Sequence, residues 1–271
     1  MRQRSLKIIT VTCLLAWLLS AICMQAGTVG LKSARILSGW QNQDGTHIAA
    51  IEFILEKGWK TYWRAPGDTG FPPQFDFSGS RNAQELEIIW PAPILFGPQD
   101  MWSIGYSGHV VLPLIVHPSD PHGPVELKLQ ASLGICDDIC IPAALSFSGH
   151  LLPDSRTPDP KIIAALANLP YSKSEADLKE LACTFSASGD TLEIDVQLSL
   201  PPTGDQEIVM LEYSQLGHWI SMQHPKRNGQ VLSAKGFLHG DLGRPSDLRG
   251  SDLSITVVGS NHTVDAGTCA P

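Results

Sequence analysis

The sequence predicts an all-β protein made of two antiparallel β-sandwich domains joined by a short helical linker. Short apolar segments that alternate with polar residues fill most of the chain, and clusters of Gly, Pro, Asn and Asp separate them. A single Pro-bounded helical pattern interrupts this series near the middle. Strands at regular spacing with turn signals between them are typical of sandwiches. We therefore expect a first domain over residues 28–153, a linker over 154–182 and a second domain over 183–271.

The N-terminal segment, residues 1–26, has the layout of a secretory signal peptide. Arg2, Arg4 and Lys7 precede an apolar run of 15 residues, and small residues follow it. The run is shorter than the roughly 20 residues that span a bilayer, so an uncleaved anchor is the weaker alternative. The sequence thus predicts an exported mature chain that contains no membrane span.

The charge of the mature chain excludes one class of partner. Removing the three basic residues of the signal leaves 16 Lys and Arg against 27 Asp and Glu, a net charge of about −11. Such a surface repels nucleic acid and anionic lipid. We therefore expect no nucleic-acid partner.

The first domain contains five segments with the composition of strands, namely 46–56, 85–90, 109–116, 125–133 and 144–152. Alternation in the first of them places Ala49, Ile51, Phe53 and Leu55 on one face and Glu52 on the other. Side chains point alternately to the two faces of a strand, so the purely apolar face is predicted to line the core.

The linker begins with a helix-start signal. Asp159 is a natural N-cap, and Pro160 suits the first helical position. The segment 174–181 is expected to add one or two helical turns. Strand patterns return after residue 183, and "GSNH" at 259–262 predicts a tight hairpin turn between the last two of them.

Four cysteines remain once Cys13 and Cys23 have left with the signal. In an oxidising compartment four cysteines favour disulfides, and they allow three pairings. Cys183 and Cys269 lie at the two ends of the second domain, which favours a structural bond between them. A second, exposed exchange pair or a free thiol are the alternatives.

Cys136 and Cys140 are separated by three residues in "SLGICDDICIPA", which follows a strand and precedes a proline. A turn at a strand end can bring the two Cα atoms within disulfide distance. A ring this small constrains the unfolded chain little, so redox chemistry explains the pair better than architecture does. A structural bond and half of a metal site remain as alternatives.

Two acids, Asp137 and Asp138, lie between these cysteines. Nearby negative charge disfavours a thiolate, which predicts a dithiol that is quiet until a partner brings a disulfide to it. The simpler interpretation is that both acids are turn formers.

No metal site or cofactor is predicted, because the nine histidines are scattered and form no cluster with cysteine. A Cu(I) site made by the two cysteines and one histidine is kept as an alternative, since soft thiolates suit that ion. Trp59 and Trp63 lie close to Arg64 in the first of the motifs quoted below, where they could form either core or a contact surface for a partner.

Four long motifs carry a family resemblance, and they occur in the order "GWKTYWRAPGDTGFPPQFDFSGSRN" (58–82), "WPAPILF" (90–96), "IGYSGHVVLPLIV" (104–116) and "CDDICIPA" (136–143). Together they resemble the periplasmic N-terminal domain of the DsbD thiol:disulfide interchange family. The likeness is closer to its ScsB (suppressor of copper sensitivity) branch, where a Cys-x3-Cys-Ile/Val-Pro pattern is usual. It covers roughly residues 30–153 well and the remaining chain loosely.

The resemblance implies an immunoglobulin-like sandwich, a fold that we extend to the second domain, and a periplasmic thiol-disulfide oxidoreductase. Electrons would pass from a membrane-embedded thiol reductase of the DsbD/ScsB type to periplasmic thioredoxin-like proteins. Cys136 and Cys140 match the redox pair, and Cys140 matches the cysteine that forms the mixed disulfide. The covering loop of the family matches residues 96–106, with Phe96, Met101, Trp102 and Tyr106 as shielding side chains.

The chain departs from the family in two respects. The familiar DsbD domain spaces its cysteines more widely, and the membrane and thioredoxin-like domains of the full-length proteins are not in this sequence. We therefore expect the electron donor to act in trans, as a separate chain. The rivals are a binding module whose short disulfide only shapes a loop, and a protein that handles copper or confers copper tolerance.

Overall fold

The computed structural model describes residues 28–67, 70–97, 102–188, 191–213, 219–240 and 250–269. The predicted signal peptide and Met101 lie outside these ranges. None of the helices in the described ranges has the length and apolar character needed to cross a membrane.

The first sandwich consists of two antiparallel sheets, as predicted. One has the strand order β1-β2-β8-β5 and the other β10-β9-β3-β7-β6, with β4 also paired to β9. The strands are β1 (Leu31–Gln41), β2 (His47–Leu55), β3 (Lys60–Tyr62), β4 (Gln74–Asp76), β5 (Glu85–Ile88), β6 (Ile94–Phe96), β7 (Ser103–Ser107), β8 (His109–His117), β9 (Val125–Cys136) and β10 (Cys140–Leu151).

The core of this sandwich follows the alternation of its strands. The predicted core face of β2 is confirmed, because Ala49, Ile51, Phe53 and Leu55 are all buried in one cluster with β8 and β9. Along β9 every second residue from Val125 to Ile135 is buried in the same cluster. Each buried aliphatic side chain contributes about 1.5–3 kcal/mol, so this face fixes which way each strand points.

The opposite face of the first sheet is covered by a helix, α1 (Pro160–Leu166). The predicted start is confirmed: the Asp159 carboxylate accepts a hydrogen bond from the amide of Lys161 (2.8 Å). Ile162 is fully buried in a second cluster, where it packs with Ala50 of β2 and Val111 of β8. The linker helix therefore packs on the first sandwich.

Glu52 lies on this covered face with no exposed side-chain surface. Its carboxylate is bonded by Lys161 of α1 (2.6 Å), by His109 Nε2 (2.8 Å) and by Arg35. Burial alone would raise the pKa of Glu52, but the bonds from Lys161, Arg35 and His109 outweigh it and lower that pKa to about 2. The ion cluster ties the helix to the middle of the sheet.

The second sandwich also has two antiparallel sheets, ordered β11-β12-β16-β14, with β15 also on β16, and β13-β17-β18. Its strands are β11 (Glu180–Ser188), β12 (Thr191–Ser199), β13 (Glu207–Tyr213), β14 (Trp219–Met222), β15 (Lys226–Asn228), β16 (Val231–His239), β17 (Leu253–Gly259) and β18 (Thr263–Thr268), with a short 3-10 helix at Gly250–Asp252.

A disulfide and a tight turn join parts of the second domain. A disulfide joins Cys183 on β11 to Cys269, the buried residue that follows β18. The turn predicted at 259–262 links β17 to β18, and the amide of Gly259 donates to the carbonyl of His262 (3.0 Å). The disulfide closes the sandwich by tying its first strand to the residue that follows its last strand.

Of the one or two helical turns expected over 174–181, the structure has a single turn, in which the amide of Ala176 donates to the carbonyl of Ser172 (3.0 Å). Residues 173–177 form hydrogen-bonded turns, in which Asp177 has a left-handed backbone (φ 53°) that ends any helical path. From Glu180 the chain pairs with β12 as strand β11. Pairing with a neighbouring strand therefore prevails over the weak helical period of this short segment.

Replacing Glu52 with Gln should lower the free energy of unfolding at pH 7 by about 3 kcal/mol, the equivalent of a pKa lowered from 4.5 to about 2. Because the folded-state pKa is depressed, this stabilisation is complete above pH 4.5 and is lost as the pH falls toward 2. Urea unfolding should therefore show a difference between wild type and variant that shrinks over that interval. A difference that stays constant with pH would contradict the role given to the carboxylate.

Candidate functional site

The two cysteines close the tip of the β9–β10 hairpin. Cys136 ends β9 and Cys140 begins β10, and the two are direct partners in the antiparallel register. A disulfide joins them. The turn between them is held by a bond from the amide of Asp137 to the carbonyl of Ile139 (3.1 Å). The register of the hairpin therefore places the two sulfur atoms side by side.

The two cysteines differ in access to solvent. Cys136 is 4% exposed, whereas Cys140 is exposed. The neighbouring Ile139 is 69% exposed, an unusual position for a large aliphatic side chain. Cys140 is therefore the cysteine of the pair that lies at the surface, while Cys136 faces the interior of the protein.

Tyr62, the last residue of β3, contacts the exposed cysteine. Its hydroxyl lies 3.0 Å from Cys140 Sγ, and its ring covers Gly134 so closely that a Cβ there would lie 2.9 Å from the ring. Burial raises the pKa of Tyr62, although a hydrogen bond with Ser103 opposes this. The phenol therefore stays protonated, and it is a hydrogen-bond donor for the sulfur.

Phe96 stacks on the ring of Tyr62, with centroids 6.0 Å apart and an angle of 27° between the ring planes. The ammonium group of Lys60 lies 5.7 Å from the Phe96 centroid. Phe96 is the last residue of β6, which pairs with β7. A partly buried aromatic ring thus lies over the tyrosine that touches Cys140.

The other predicted shielding residues occupy different positions. Trp102 is partly buried and immediately precedes β7, and Met101 lies outside the described residues. Tyr106 is buried in the first core, where its hydroxyl donates to the carbonyl of Pro91 (2.8 Å). The structure therefore brings Phe96 to the tyrosine beside Cys140 and places Tyr106 beneath the segment that leads into β6.

Trp59 and Trp63, which flank β3, belong to the core side of this region. Trp63 is completely buried, and the Arg64 guanidinium lies 4.0 Å from the centre of its ring. Trp59 is partly buried and packs against the first core. The contact-surface hypothesis is therefore wrong for Trp63.

Sequence reasoning missed Tyr62, although it lies inside the longest of the four family motifs. It is 78 residues from Cys140 in the chain, and only the pairing of β3 with β9 brings them together. Among the described residues, no group of three or more His, Cys, Asp or Glu side chains is placed to hold a metal ion.

Comparisons with known proteins bear on the family of the first domain and on the fold of the chain. Residues 33–150 match the family model "Thiol:disulfide interchange protein DsbD, N-terminal". A search of curated protein sequences gave no significant match.

The solved structure of the N-terminal periplasmic domain of ScsB from Proteus mirabilis is similar in fold, with a TM-score of 0.60 and 22% sequence identity. The match covers 86% of this chain and 91% of that one, so it includes residues of both sandwiches. The family resemblance carried by the sequence motifs is confirmed by the match of residues 33–150 to the model of the DsbD N-terminal family.

Proposed function

We propose that this protein is a periplasmic thiol-disulfide oxidoreductase that exchanges its Cys136–Cys140 bond with other proteins. It would pass electrons from a membrane-embedded thiol reductase, acting in trans, to exported thioredoxin-like proteins. The observation that carries the proposal is a short hairpin disulfide with one buried and one exposed cysteine, the exposed one in contact with a buried tyrosine hydroxyl. The family of the first domain supports the same chemistry.

Electron delivery starts from the reduced pair. The Cys140 thiolate attacks a sulfur of the partner's disulfide, and the partner's other sulfur leaves as a thiolate. Cys136 then loses its proton and attacks Cys140 Sγ. This step reforms the Cys136–Cys140 bond and releases the partner as a dithiol that carries two electrons. Cys140 takes the first step because it is the exposed member of the pair.

Reloading runs through the same atoms in reverse. A thiolate of the membrane reductase attacks Cys140 Sγ, and Cys136 leaves as a thiolate that takes up a proton. The second thiol of the reductase then displaces Cys140, and the reductase departs oxidised. Each half of the cycle uses one mixed disulfide on Cys140.

Tyr62 assists whichever step places negative charge on Cys140. Its hydroxyl lies 3.0 Å from the sulfur, and its raised pKa keeps the proton on the oxygen. Hydrogen bonds to charged groups contribute about 1.5–3 kcal/mol. This donor offsets the two carboxylates of the turn, Asp137 and Asp138, which disfavour the thiolate.

Trapping identifies the attacking cysteine. In a Cys136→Ser variant exported in bacteria, Cys140 can still attack a partner, but the step that releases the partner is missing. Mixed disulfides should therefore accumulate after acid quenching and be visible on non-reducing gels.

The matched variant is Cys140→Ser, which should give few adducts or none. Adducts only in Cys140→Ser would reverse the assignment of the two cysteines. Adducts in neither variant would favour the rival in which the short disulfide only shapes a loop.

Phe96→Ala should speed the reduction of the Cys136–Cys140 bond by dithiothreitol several-fold, because it uncovers Tyr62 and the sulfur beside it. The rate can be followed by quenching with an alkylating agent and counting modified cysteines. Phe147→Ala is the control, since Phe147 is another partly buried phenylalanine, which packs against the first core on β10, away from the hairpin tip. Equal rates for the two variants would mean that Phe96 is not the shield.

Tyr62→Phe should raise the midpoint pH for alkylation of Cys140 by about one unit or more, because the thiolate loses a hydrogen bond of about 1.5–3 kcal/mol. The measurement uses the Cys136→Ser background, so that Cys140 is the single thiol of the pair. Tyr106→Phe, which loses a hydroxyl bonded to Pro91 instead, should leave the midpoint unchanged. A midpoint that does not move with Tyr62→Phe would remove the tyrosine from the mechanism.

A further inference from the structure

The second sandwich shares buried surface with the first at the strand that carries Phe96. Met210 of β13 and Val258 of β17 belong to the same buried cluster as the core of the first domain, and Ile208 of β13 packs against it. β17 lies against β6 of the first domain. The outer side of β6 therefore packs on the second domain.

The segment that leads into β6 is bonded at three successive residues. Tyr106 donates to the carbonyl of Pro91, as described above. The amide of Ala92 donates to the carbonyl of Asn168 in the linker (2.7 Å). The hydroxyl of Thr263, on β18, donates to the carbonyl of Pro93 (3.4 Å). Two of these three bonds come from outside the first sandwich.

An ion pair joins the second domain to the segment that directly follows β3, the strand that carries Tyr62. Arg64, two residues after Tyr62, bonds Glu212 of β13 through Nε to Oε1 (2.9 Å) and through Nη2 to Oε2 (3.0 Å). The guanidinium also stacks on the buried ring of Trp63. This two-point geometry fixes orientation as well as distance.

These contacts converge on the two rings beside Cys140. Phe96 is at the end of β6, which the second domain holds from outside, and Tyr62 is next to the segment that Glu212 holds. We propose that the second sandwich is a brace for the redox site, which keeps Phe96 stacked on Tyr62 and so sets how readily Cys140 is reached. The inference rests on the shielding role proposed for Phe96, and it gives the second domain a function in the exchange reaction.

The test removes the ion pair and measures access to the disulfide. Glu212→Ala in the full chain should speed reduction of the Cys136–Cys140 bond by dithiothreitol by up to about fivefold, the effect of losing a partly exposed pair. The matched control is Glu193→Ala. Glu193 pairs with Lys235 inside the second domain. The side chains of Lys235 and Glu193 are 34% and 23% exposed, and those of Arg64 and Glu212 are 34% and 24% exposed, so the two ion pairs are equally accessible to solvent.

A double variant shows whether the brace acts through the shield. In a Phe96→Ala background, Glu212→Ala should give no further acceleration, because the ring that it holds is gone. The proposal is overturned if the Cys136–Cys140 bond of Glu212→Ala is reduced at the wild-type rate, or if Glu193→Ala accelerates that reduction equally. It is also overturned if Glu212→Ala still accelerates the reduction in the Phe96→Ala background.

This outcome is independent of the proposed exchange with partners. Reduction by dithiothreitol needs no partner protein. Acceleration by Glu212→Ala together with an absence of trapped adducts would therefore retain the brace and refute the exchange function. Trapped adducts together with an unchanged reduction rate for Glu212→Ala would retain the exchange function and refute the brace.

Discussion

The pairing of β9 with β10 is the constraint on which the rest of the first domain depends. It extends over twelve residue pairs, from Val125 with Leu151 to Cys136 with Cys140. β9 also pairs with β3 and β4, so three strands of its sheet are bonded to it. A slip of one residue would turn its buried side chains to solvent, and the core therefore holds the register. The same register places the two cysteines opposite each other, so the hydrophobic core positions the disulfide.

Local patterns predicted much of this fold. The alternation in β2 indicated its core face, Asp159 and Pro160 indicated the helix start, and the cysteine positions favoured both disulfides. Such signals depend on neighbouring residues, which is why they are readable in a single sequence. Segment 174–181 shows the limit of this reasoning, because its helical period is weaker than the strand pairing offered by β12.

Features that join distant parts of the chain could not be predicted in this way. Glu52 stands alone in an apolar strand, which suggests a polar face turned to water. In the structure that face is covered by α1, and the carboxylate is bonded by residues 35, 109 and 161. The contact of Tyr62 with Cys140 has the same origin. Each of these arrangements depends on which elements become neighbours, and a local pattern contains no information on that.

The covering helix bears on how such domains can be recombined in evolution. The family match ends at residue 150, yet α1 at 160–166 buries Ile162 on the first sheet, and Asn168 bonds the segment before β6. A gene fusion that cut the chain directly after β10 would leave an apolar strip on the sheet and a buried carboxylate without its lysine. Uncovered strips of this kind promote aggregation. The smallest exchangeable unit therefore extends past residue 168, and the helix would have to be inherited with the sandwich that it covers.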